Sequence, residues 1–333
     1  MTASKSAQKK ILICERFSVE ANIQLKKNSK FDLVLIKSEA HFNEEIKTAD
    51  GLIIRSKQKI TANVLEHAKH LEVIVTCTSG YDHIDLIETK KRNITVMYTP
   101  EANQISAAEL TWGLVMACAR NIVNGHRDIK SNKWVREPHI GFELSGKTFG
   151  LVGLGRIGSR VAKFANAFGM TVLAFDPYQD DDTFTAAKAT RASYEELLKQ
   201  SDLISFHVPA TKETKSMFNR THYEFVHPEV VLINTSRGSV INEEDLAEAL
   251  LQKKIRAAGL DVFEKEPLSI DSKLMKCTNV VMTPHLGAFT EEAFTKASLQ
   301  GAKQIENYFD LNQIENALPL ENNWGSLSFQ ERT

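Results

Sequence analysis

Residues 149–158 read Phe-Gly-Leu-Val-Gly-Leu-Gly-Arg-Ile-Gly, and the chain continues to Ala-Phe-Asp-Pro at residues 174–177. The apolar run that ends at Val152 is typical of a buried strand, residues 158–169 have a helical pattern, and residues 171–175 are typical of a second strand. A strand, a glycine turn, a helix and a strand that ends at an acid form the pattern of a dinucleotide-binding unit. These residues therefore predict a Rossmann βαβ unit.

Four residues of this unit have predicted tasks. Gly153 permits the tight turn, Gly155 lets the backbone approach a pyrophosphate, and Gly158 lets the helix pack on the strand. The helix N-terminus offers unpaired N–H groups to the phosphates. Asp176 lies 18 positions after Gly158, where a carboxylate can accept hydrogen bonds from both ribose hydroxyls of NAD and repel the extra phosphate of NADP. We expect NAD as the cofactor and disfavour an NADP-linked reductase.

Length and composition limit the number of domains and the class of binding partner. A chain of 333 residues suits about two domains. Its 41 basic and 42 acidic residues give a formal net charge of −1. The sequence therefore has no excess of positive charge that would indicate binding to nucleic acid or to an anionic membrane. We expect a small-molecule partner, with no nucleic acid, no membrane and no metal.

Three features of the sequence predict the cellular compartment of the protein. The four cysteines are far apart and lie mostly in apolar runs, where a free thiol behaves as a small buried hydrophobe. Residues 1–10 are polar and are not followed by the apolar core of a secretory signal. The sequence also has no run of 18 apolar residues that would predict a membrane span. We therefore expect a cytoplasmic location.

Short apolar runs recur through the first hundred residues. Polar or amphipathic segments separate them, and in residues 60–69 the side chains of Ile60, Val64 and Leu65 share one helical face. Continuous apolar strands that alternate with such segments predict a parallel sheet covered on both sides. This first unit lacks a phosphate-binding glycine motif, so we expect it to contribute something other than the cofactor site. Its predicted strands are residues 11–14, 33–36, 52–54, 73–76 and 95–97.

A long helix is predicted from about residue 103 to residue 126. Apolar side chains such as Leu110, Leu114 and Cys118 cover a broad part of its surface, and so wide a surface usually packs between two domains or at a subunit contact. A tryptophan-containing loop follows at residues 133–138. We expect a homodimer to form through this region.

Beyond Asp176, apolar strands again alternate with helical segments. The predicted strands are residues 203–208, 230–233, 257–262 and 280–283, and the predicted helices include residues 194–199 and 243–252. A last helix at residues 291–309 is free to return to the first unit. The polar tail, residues 319–333, is expected to be a surface strap or disordered.

Polar residues follow each of these later strands. Because ligands of open parallel sheets bind outside the carboxyl ends of the strands, we expect those residues to converge on one crevice. They include an arginine, a glutamate and a histidine, the types that hold a carboxylate and move a proton. The four segments are His207-Val208-Pro209, Thr235-Ser236-Arg237-Gly238, residues 261–267, and Thr283-Pro284-His285-Leu286-Gly287.

The sequence resembles the D-isomer-specific 2-hydroxyacid dehydrogenases, a family that includes phosphoglycerate dehydrogenase and glyoxylate/hydroxypyruvate reductase. The resemblance covers nearly the whole chain and is clearest over residues 50–310. Six motifs in the family's order carry it. They are Ser79-Gly80-Tyr81-Asp82-His83-Ile84-Asp85, Ala107-Ala108-Glu109-Leu110, the glycine motif at 153–158, Asn234-Thr235-Ser236-Arg237-Gly238, Gly259-Leu260-Asp261-Val262-Phe263 with Glu266-Pro267, and residues 283–287.

The resemblance implies three catalytic residues. Arg237 would bind the substrate carboxylate and the oxygen of the reacting carbon, since a planar guanidinium donates two parallel hydrogen bonds. His285 would be the general acid in reduction and the general base in oxidation. Glu266, rather than its neighbour Glu264, would pair with His285, hold its tautomer and raise the pKa of the ring.

The resemblance also implies cofactor contacts. Asp261 would contact the nicotinamide carboxamide, and Arg156 and Ile157 would flank the pyrophosphate. We expect further cofactor contacts from the loops that follow the neighbouring strands. These residues are Val208, Pro209, Thr235, Ser236 and Gly287.

Substrate contacts are implied in the first unit. Backbone N–H groups of Ser79 and Gly80 would bind the substrate carboxylate, and Arg55 would be a substrate-side arginine. Many phosphoglycerate dehydrogenases have a second arginine just before the Thr-Gly or Ser-Gly step, but residues 75–80 read Val-Thr-Cys-Thr-Ser-Gly here. This departure puts phosphoglycerate itself in doubt as the substrate. The cations left open as substitutes are Lys57, Lys59 and Arg136.

The implied architecture is α/β, with two doubly wound parallel-sheet domains. A Rossmann NAD-binding domain at residues 102–288 would be inserted into a flavodoxin-like substrate-binding (catalytic) domain at residues 1–101 and 289–333, with the active site in the cleft. The implied activity is hydride transfer between NAD(H) and a 2-oxoacid/D-2-hydroxyacid pair, with phosphoglycerate, glyoxylate and hydroxypyruvate left open. The alternative is an NAD(H)-sensing, corepressor-like binding protein of the same fold.

Overall fold

The computed structural model describes residues 8–318 of the chain, so the expectations for the tail at residues 319–333 lie outside the described residues. Two compact units are present: residues 8–103 with 288–318, and residues 104–287. In this range the strands are β1 (Lys9–Ile13), β2 (Phe31–Leu35), β3 (Gly51–Ile54), β4 (Val73–Thr76), β5 (Thr95–Tyr98), β6 (Thr148–Val152), β7 (Thr171–Phe175), β8 (Thr190–Arg191), β9 (Leu203–Phe206), β10 (Val231–Asn234), β11 (Ala257–Leu260), β12 (Val280–Met282) and β13 (Ala317–Leu318).

Helices connect most of these strands. Within residues 8–318 they are α1 (Val19–Lys26), α2 (Glu39–Glu45), α3 (Ala62–His67), α4 (Leu86–Lys91), α5 (Gln104–Ala119), α6 (Ile122–Lys130), α7 (Gly158–Ala167), α8 (Asp181–Ala187), α9 (Tyr194–Gln200), α10 (Glu243–Leu251) and α11 (Glu291–Leu311). Each helix in this range is too short or too polar to cross a membrane. Short 3-10 turns occur at Ile46–Thr48, Glu137–His139, Arg220–His222, Gly238–Val240 and Lys273–Lys276.

The first unit, as far as it is described, contains a six-stranded sheet in the order β13-β5-β4-β3-β1-β2. Strands β1 to β5 are parallel, and their order 2-1-3-4-5 is that of a flavodoxin-like sheet, which reverses direction between β1 and β3. Side chains on both faces are buried: Ile11 and Ile13 pack in one core and Leu12 in the other. Burial on both faces explains why these strands are continuous apolar runs.

Two C-terminal elements complete the first unit. Helix α11 begins at the N-cap Thr290, whose side chain accepts a hydrogen bond from the N–H of Ala293. The helix lies close to the sheet, because a Cβ at Gly301 would be 2.5 Å from the Sγ of Cys77. Strand β13 then pairs antiparallel with β5. This antiparallel edge was not predicted, since two residues are too few to carry a strand pattern.

The second unit contains a seven-stranded parallel sheet within residues 104–287, in the order β12-β11-β10-β9-β6-β7-β8. The chain builds outward from β6 to β8 and then returns to β9, so the order reverses between β6 and β9. In such sheets ligands bind at the point of reversal, outside the carboxyl ends of the strands. The predicted fold class, two doubly wound parallel sheets with a Rossmann unit, is confirmed.

The long helix predicted over residues 103–126 is wrong in its length. Asn121 adopts the left-handed conformation with φ +52° and separates α5 from α6, which asparagine does at low cost. Apolar side chains of α5, among them Leu114 and Val115, are buried in the core of the second unit. Helix α6 buries none of its residues in the chain. The broad apolar surface therefore belongs to two helices with different surroundings.

Candidate active site

The glycine turn between β6 and α7 excludes side chains at two of its three glycines and leaves space at the third. Gly153 has φ +97°, and a Cβ there would lie 2.7 Å from the carbonyl oxygen of His207, so a side chain is excluded. A Cβ at Gly158 would lie 2.2 Å from the carbonyl oxygen of Gly153. A Cβ at Gly155, by contrast, would meet no described atom within 4 Å beyond its own neighbours. Free space therefore lies at Gly155, beside the N-terminus of α7.

Asp176 ties the end of β7 to this turn. Its buried carboxylate accepts a hydrogen bond from the N–H of Leu154 at 2.8 Å and another from the N–H of Tyr178 at 2.9 Å. Burial raises the pKa of Asp176, and the two backbone hydrogen bonds oppose that effect by stabilising the anion. The acid thus lies at the glycine turn, where the sequence placed the ribose contact. Arg156 is exposed at the same turn, and Ile157 precedes the first residue of α7.

The segment after β9 borders the other side of the turn. The ring Nε2 of His207 lies 3.0 Å from the Oγ of Ser205, and desolvation lowers the pKa of His207 to about 3. Val208 is buried against Gly153, since its Cγ1 would lie 3.1 Å from a Cβ at that glycine. The carbonyl oxygen of Pro209 accepts the hydroxyl of Thr214 at 2.5 Å. Val208 and Pro209 are therefore next to the glycine turn, at the reversal point of the sheet.

Arg237 follows β10 in a turn that Asn234 organises. The Oδ1 of Asn234 accepts hydrogen bonds from the N–H and the hydroxyl of Ser236 at 3.0 and 2.9 Å, and its Nδ2 donates to the carbonyl oxygen of Arg237 at 2.9 Å. The Nη1 of Arg237 donates to the carbonyl oxygen of Ser236 at 2.7 Å. Thr235 is buried, with its hydroxyl 2.7 Å from that of Thr111 in α5. The hydroxyls of Thr235 and Ser236, two residues predicted as cofactor contacts, are thus bonded within the chain.

Gly238 brings the arginine turn against the loop that follows β11. A Cβ at Gly238 would lie 1.9 Å from the carbonyl carbon of Phe263, so a side chain cannot be accommodated without moving one of the two segments. The same loop continues to Glu266. The positive charge of Arg237 lowers the pKa of both Glu266 and His285, which places the guanidinium within electrostatic range of this pair.

Glu266 and His285 form a hydrogen-bonded pair. The Oε2 of Glu266 lies 2.8 Å from the Nδ1 of His285, and its Oε1 accepts the N–H of Phe263 at 3.1 Å. Glu264 has a different partner, because its Oε1 accepts the N–H of Glu243 at the start of α10 at 3.0 Å. The structure therefore brings together Arg237, Glu266 and His285, the three residues predicted as catalytic.

The pair favours a charged imidazole ring. The hydrogen bond to Glu266 raises the pKa of His285 above its usual value, against the opposing effects of burial and of Arg237. Burial alone would raise the pKa of Glu266, but the hydrogen bond to His285 and the nearby positive charges lower it below its usual value. A protonated histidine beside an ionised glutamate is a proton donor with a fixed orientation, because Nδ1 is held and Nε2 is left for the reacting group.

Asp261 lies beneath the loop that carries His285. Its fully buried carboxylate accepts hydrogen bonds from the hydroxyl of Thr283 at 2.6 Å, the N–H of Leu286 at 2.7 Å and the N–H of Gly287 at 2.8 Å. Its backbone carbonyl oxygen accepts the N–H of His285 at 2.9 Å. Three protein donors thus occupy the carboxylate for which the resemblance implied a nicotinamide contact, and that contact stays a prediction.

The three predicted substrate contacts of the first unit lie after β3 and β4. The N–H of Arg55 donates to the Oε1 of Glu15 at 2.8 Å, while its Nη1 is buried without a hydrogen-bond partner among the described residues. Arg55 and Ser79 line the same small cavity. Gly80 does not line it, and its carbonyl oxygen accepts the hydroxyl of Thr78 at 2.7 Å.

Sequence reasoning missed the organising residues of the site. Asn234 and Gly238 were quoted only as parts of a motif, although an Asn followed two residues later by a serine N–H is a recognisable Asx turn. The contact between Gly238 and Phe263 joins segments that are far apart in sequence, so no local pattern indicates it.

Among residues 8–318, no group of three or more His, Cys, Asp or Glu side chains is arranged to hold a metal ion.

Comparison with known proteins places the chain among dehydrogenases. The family model "D-isomer specific 2-hydroxyacid dehydrogenase, NAD binding domain" matches residues 112–287. A D-3-phosphoglycerate dehydrogenase of Methanocaldococcus jannaschii is 38% identical over 314 residues, which cover 94% of this chain and 60% of that protein. A hydroxypyruvate reductase of Thermotoga maritima is 39% identical over 302 residues, covering 87% of this chain and 97% of that protein.

A solved structure shows the same similarity in three dimensions. The D-lactate dehydrogenase of Aquifex aeolicus, complexed with NAD and lactic acid, is 29% identical and has a TM-score of 0.83, covering 94% of this chain and 100% of that one. The chain belongs to the D-isomer-specific 2-hydroxyacid dehydrogenase family, and residues 112–287 match its NAD-binding domain. The predictions of the family and of an NAD-type cofactor are thereby confirmed. The chain spans about 60% of the length of the phosphoglycerate dehydrogenase it matches.

Proposed function

We propose that this protein is an NAD-dependent D-2-hydroxyacid dehydrogenase. The observation that carries the proposal is the pair of His285 and Glu266, 2.8 Å apart, next to Arg237 in the same unit as the glycine turn. A carboxylate-binding cation and an oriented proton donor beside a dinucleotide site are what reduction of a 2-oxoacid requires. The residues fit NAD: Gly155 leaves space for a phosphate and Asp176 offers a carboxylate at the turn.

The side chains have distinct tasks in this reaction. The glycine turn and Asp176 would hold NAD(H), which supplies or accepts the hydride. Arg237 binds the carboxylate and the carbonyl oxygen of the 2-oxoacid, and thereby draws electrons from the carbon that is reduced. His285, protonated, gives its Nε2 proton to that oxygen as it becomes a hydroxyl, and Glu266 stabilises the imidazolium beforehand. In the reverse direction the neutral ring takes the proton back.

The two units have separate proposed roles. We assign NAD binding to residues 104–287 and part of the substrate binding to residues 8–103 with 288–318, where Arg55 has an unpartnered buried N–H beside Ser79. The neutral stretch at residues 75–78 disfavours a phosphorylated substrate. The Thermotoga maritima relative, matched over 97% of its length, is named a hydroxypyruvate reductase. We therefore favour a small 2-oxoacid such as hydroxypyruvate or glyoxylate over phosphohydroxypyruvate.

A substrate panel tests this proposal. Oxidation of NADH and of NADPH would be followed with glyoxylate, hydroxypyruvate, pyruvate and phosphohydroxypyruvate, for the wild type and for His285→Gln. We expect NADH-linked turnover of at least one 2-oxoacid, weaker turnover with NADPH, and a large loss of turnover in the variant. Tight NADH binding without turnover of any 2-oxoacid would instead support the NAD(H)-sensing corepressor-like protein, which the named relatives do not favour.

We further propose a cytoplasmic homodimer. The four cysteines, all within the described residues, are free thiols, in keeping with a reducing compartment. Helix α6 and the segment after it expose several large apolar side chains, among them Ile129 and Trp134. Such a cluster is typical of a protein–protein interface.

A further inference from the structure

The loop that carries the proton donor has an unusual backbone. His285 has φ +56°, in the left-handed region that residues other than glycine rarely adopt. The conformation costs free energy, so it persists only where surrounding contacts determine it. The ring of His285 reaches Glu266 from this conformation. Whatever holds the loop at residues 283–287 therefore also orients the donor.

The contacts that hold this loop converge on one residue. Asp261 accepts the N–H of His285 with its backbone oxygen, the N–H groups of Leu286 and Gly287 with its two carboxylate oxygens, and the hydroxyl of Thr283 with one of them. Its carboxylate is fully buried, so water does not replace these bonds. An ionised carboxylate only accepts hydrogen bonds, which matches three donors. An asparagine would turn an N–H₂ group towards at least one of them.

Space around the carboxylate is limited as well. A Cβ at Gly287 would lie 3.3 Å from the Oδ2 of Asp261, closer than an ordinary van der Waals contact. The glycine therefore lets the backbone approach the carboxylate. Asp261 accepts hydrogen bonds from the two residues that directly follow His285. These bonds restrict His285 to the left-handed conformation.

We propose that Asp261 is a positioning residue: its carboxylate holds the loop at residues 283–287 in the left-handed turn that directs His285 to Glu266. This role differs from the nicotinamide contact implied by the family resemblance, because it acts through the backbone of the donor's own loop. The expected effect of this role on kcat rests on the proposed function, whereas the expected effect on the orientation of His285 does not.

The test measures the proton affinity of His285 directly. The charged groups that face its ring are Glu266, Arg237 and Asp261. We would titrate histidine-labelled protein by NMR, with the His285 signal assigned from His285→Gln, in the wild type and in Asp261→Asn. We expect the pKa of His285 to fall in Asp261→Asn, because a negative charge is lost and the ring is held less firmly at Glu266. At saturating NADH, kcat should fall about tenfold or more.

Three further variants keep the test decisive. If Asp261→Asn does not fold, Thr283→Val removes one donor from the carboxylate and should shift the His285 titration in the same direction by less, while Thr283→Ser restores it. Asp245→Asn is the matched control: Asp245 is a buried acid bonded to Arg220 in the same unit. It should lower the free energy of unfolding but leave the His285 titration unchanged.

Affinity for NADH and for ADP-ribose, which lacks the nicotinamide, separates the two roles of Asp261. An unchanged His285 titration in Asp261→Asn, with a loss of NADH affinity that ADP-ribose does not share, would overturn the proposal and identify a nicotinamide contact. The titration needs no turnover. Failure of the wild type on every 2-oxoacid would therefore count against the proposed function alone.

Discussion

Glu264 and Glu266 are separated by a single residue, but they contact different parts of the second unit. Glu266 is bonded to the ring of His285, whereas Glu264 is bonded to the first backbone N–H of α10. Two carboxylates of one loop thus have different partners, a histidine ring and the N-terminus of a helix. Glu266 and Glu264 therefore provide a variant and its control in the same segment.

Glu266→Gln should move the pH dependence of reduction. Reduction needs protonated His285, so kcat/KM is retained at low pH and lost as the pH rises through the pKa of the ring. Since Glu266 raises that pKa, the variant should lose activity at lower pH than the wild type. The measurement is the pH profile of kcat/KM for the 2-oxoacid that the panel selects.

Glu264→Gln serves as the control for this change. Its side chain has no contact with His285 in the described structure and bonds to Glu243 instead, so the alkaline limb should remain where it is in the wild type. A Glu266→Gln profile that superimposes on the wild-type profile would contradict the assigned role of the pair.

The sequence names Arg237, Glu266 and His285 as catalytic residues, a role that stays a prediction, but it does not predict the contacts that hold them. Arg237, Glu266 and His285 belong to family motifs, so they were found without knowledge of the fold. The bonds from Asn234 to its turn and from Asp261 to the loop at residues 283–287 depend on the direction of backbone N–H groups. In the loop at residues 283–287 the direction follows from the left-handed conformation of His285, which a side-chain pattern does not reveal.

Among the elements of the second unit, the turn after β10 and the loop after β11 are in direct contact at Gly238. Gly238→Ala should force these segments apart, because its Cβ would lie 1.9 Å from a backbone carbon of Phe263. We expect a loss of about 3 kcal/mol in the free energy of unfolding and a lower kcat/KM, since Arg237 moves with the turn. Urea unfolding and steady-state kinetics would measure both.

Gly113 provides the matched control for this substitution. It lies exposed within α5, and a Cβ there would have no neighbour within 4 Å among the described residues. Gly113→Ala should therefore raise the free energy of unfolding by about 0.5–1 kcal/mol, because alanine is the better helix former. Wild-type stability in Gly238→Ala would show that the two segments can separate without cost.

Strand and helix ends were predicted to within about two residues, apart from the helix predicted over residues 103–126. Buried parallel strands are continuous apolar runs, so β3 and β4 were placed to within a residue or two. The division between α5 and α6 was missed, because the apolar pattern continues across Asn121 and its left-handed backbone leaves no apolar signature. Strand β13 gains its conformation by pairing with β5, a tertiary contact that two residues do not encode.

At the scale of the whole molecule, two units with different strand orders are formed by one chain. The first reverses its strand order between β1 and β3, and the second between β6 and β9. Alternating apolar strands and amphipathic segments were enough to predict both sheets. The part each unit plays in binding is not encoded in that pattern, because it depends on which side chains follow the strands.

Assembly is the property of the whole molecule that is most directly open to measurement. Ile129 and Trp134 are 53% and 77% exposed in the single chain, and α6 buries none of its residues. We expect a homodimer in gel filtration with light scattering, and we expect Ile129→Asp to shift it towards the monomer, because a charge in an apolar interface is costly.

Ile270→Asp is the control for this prediction. Ile270 is 84% exposed in the segment between β11 and β12, so the substitution adds the same charge outside α6. It should leave the dimer intact. A monomeric wild type, or equal effects of both substitutions, would contradict an interface at α6.

The pKa of the histidine that follows β9 is shifted in the opposite direction to the pKa of His285. Desolvation lowers the pKa of His207 to about 3, whereas Glu266 raises the pKa of His285 above its usual value. His207 is therefore already neutral at every pH at which His285 changes its charge. The glycine turn therefore has a neutral histidine ring beside it whether His285 is protonated or not.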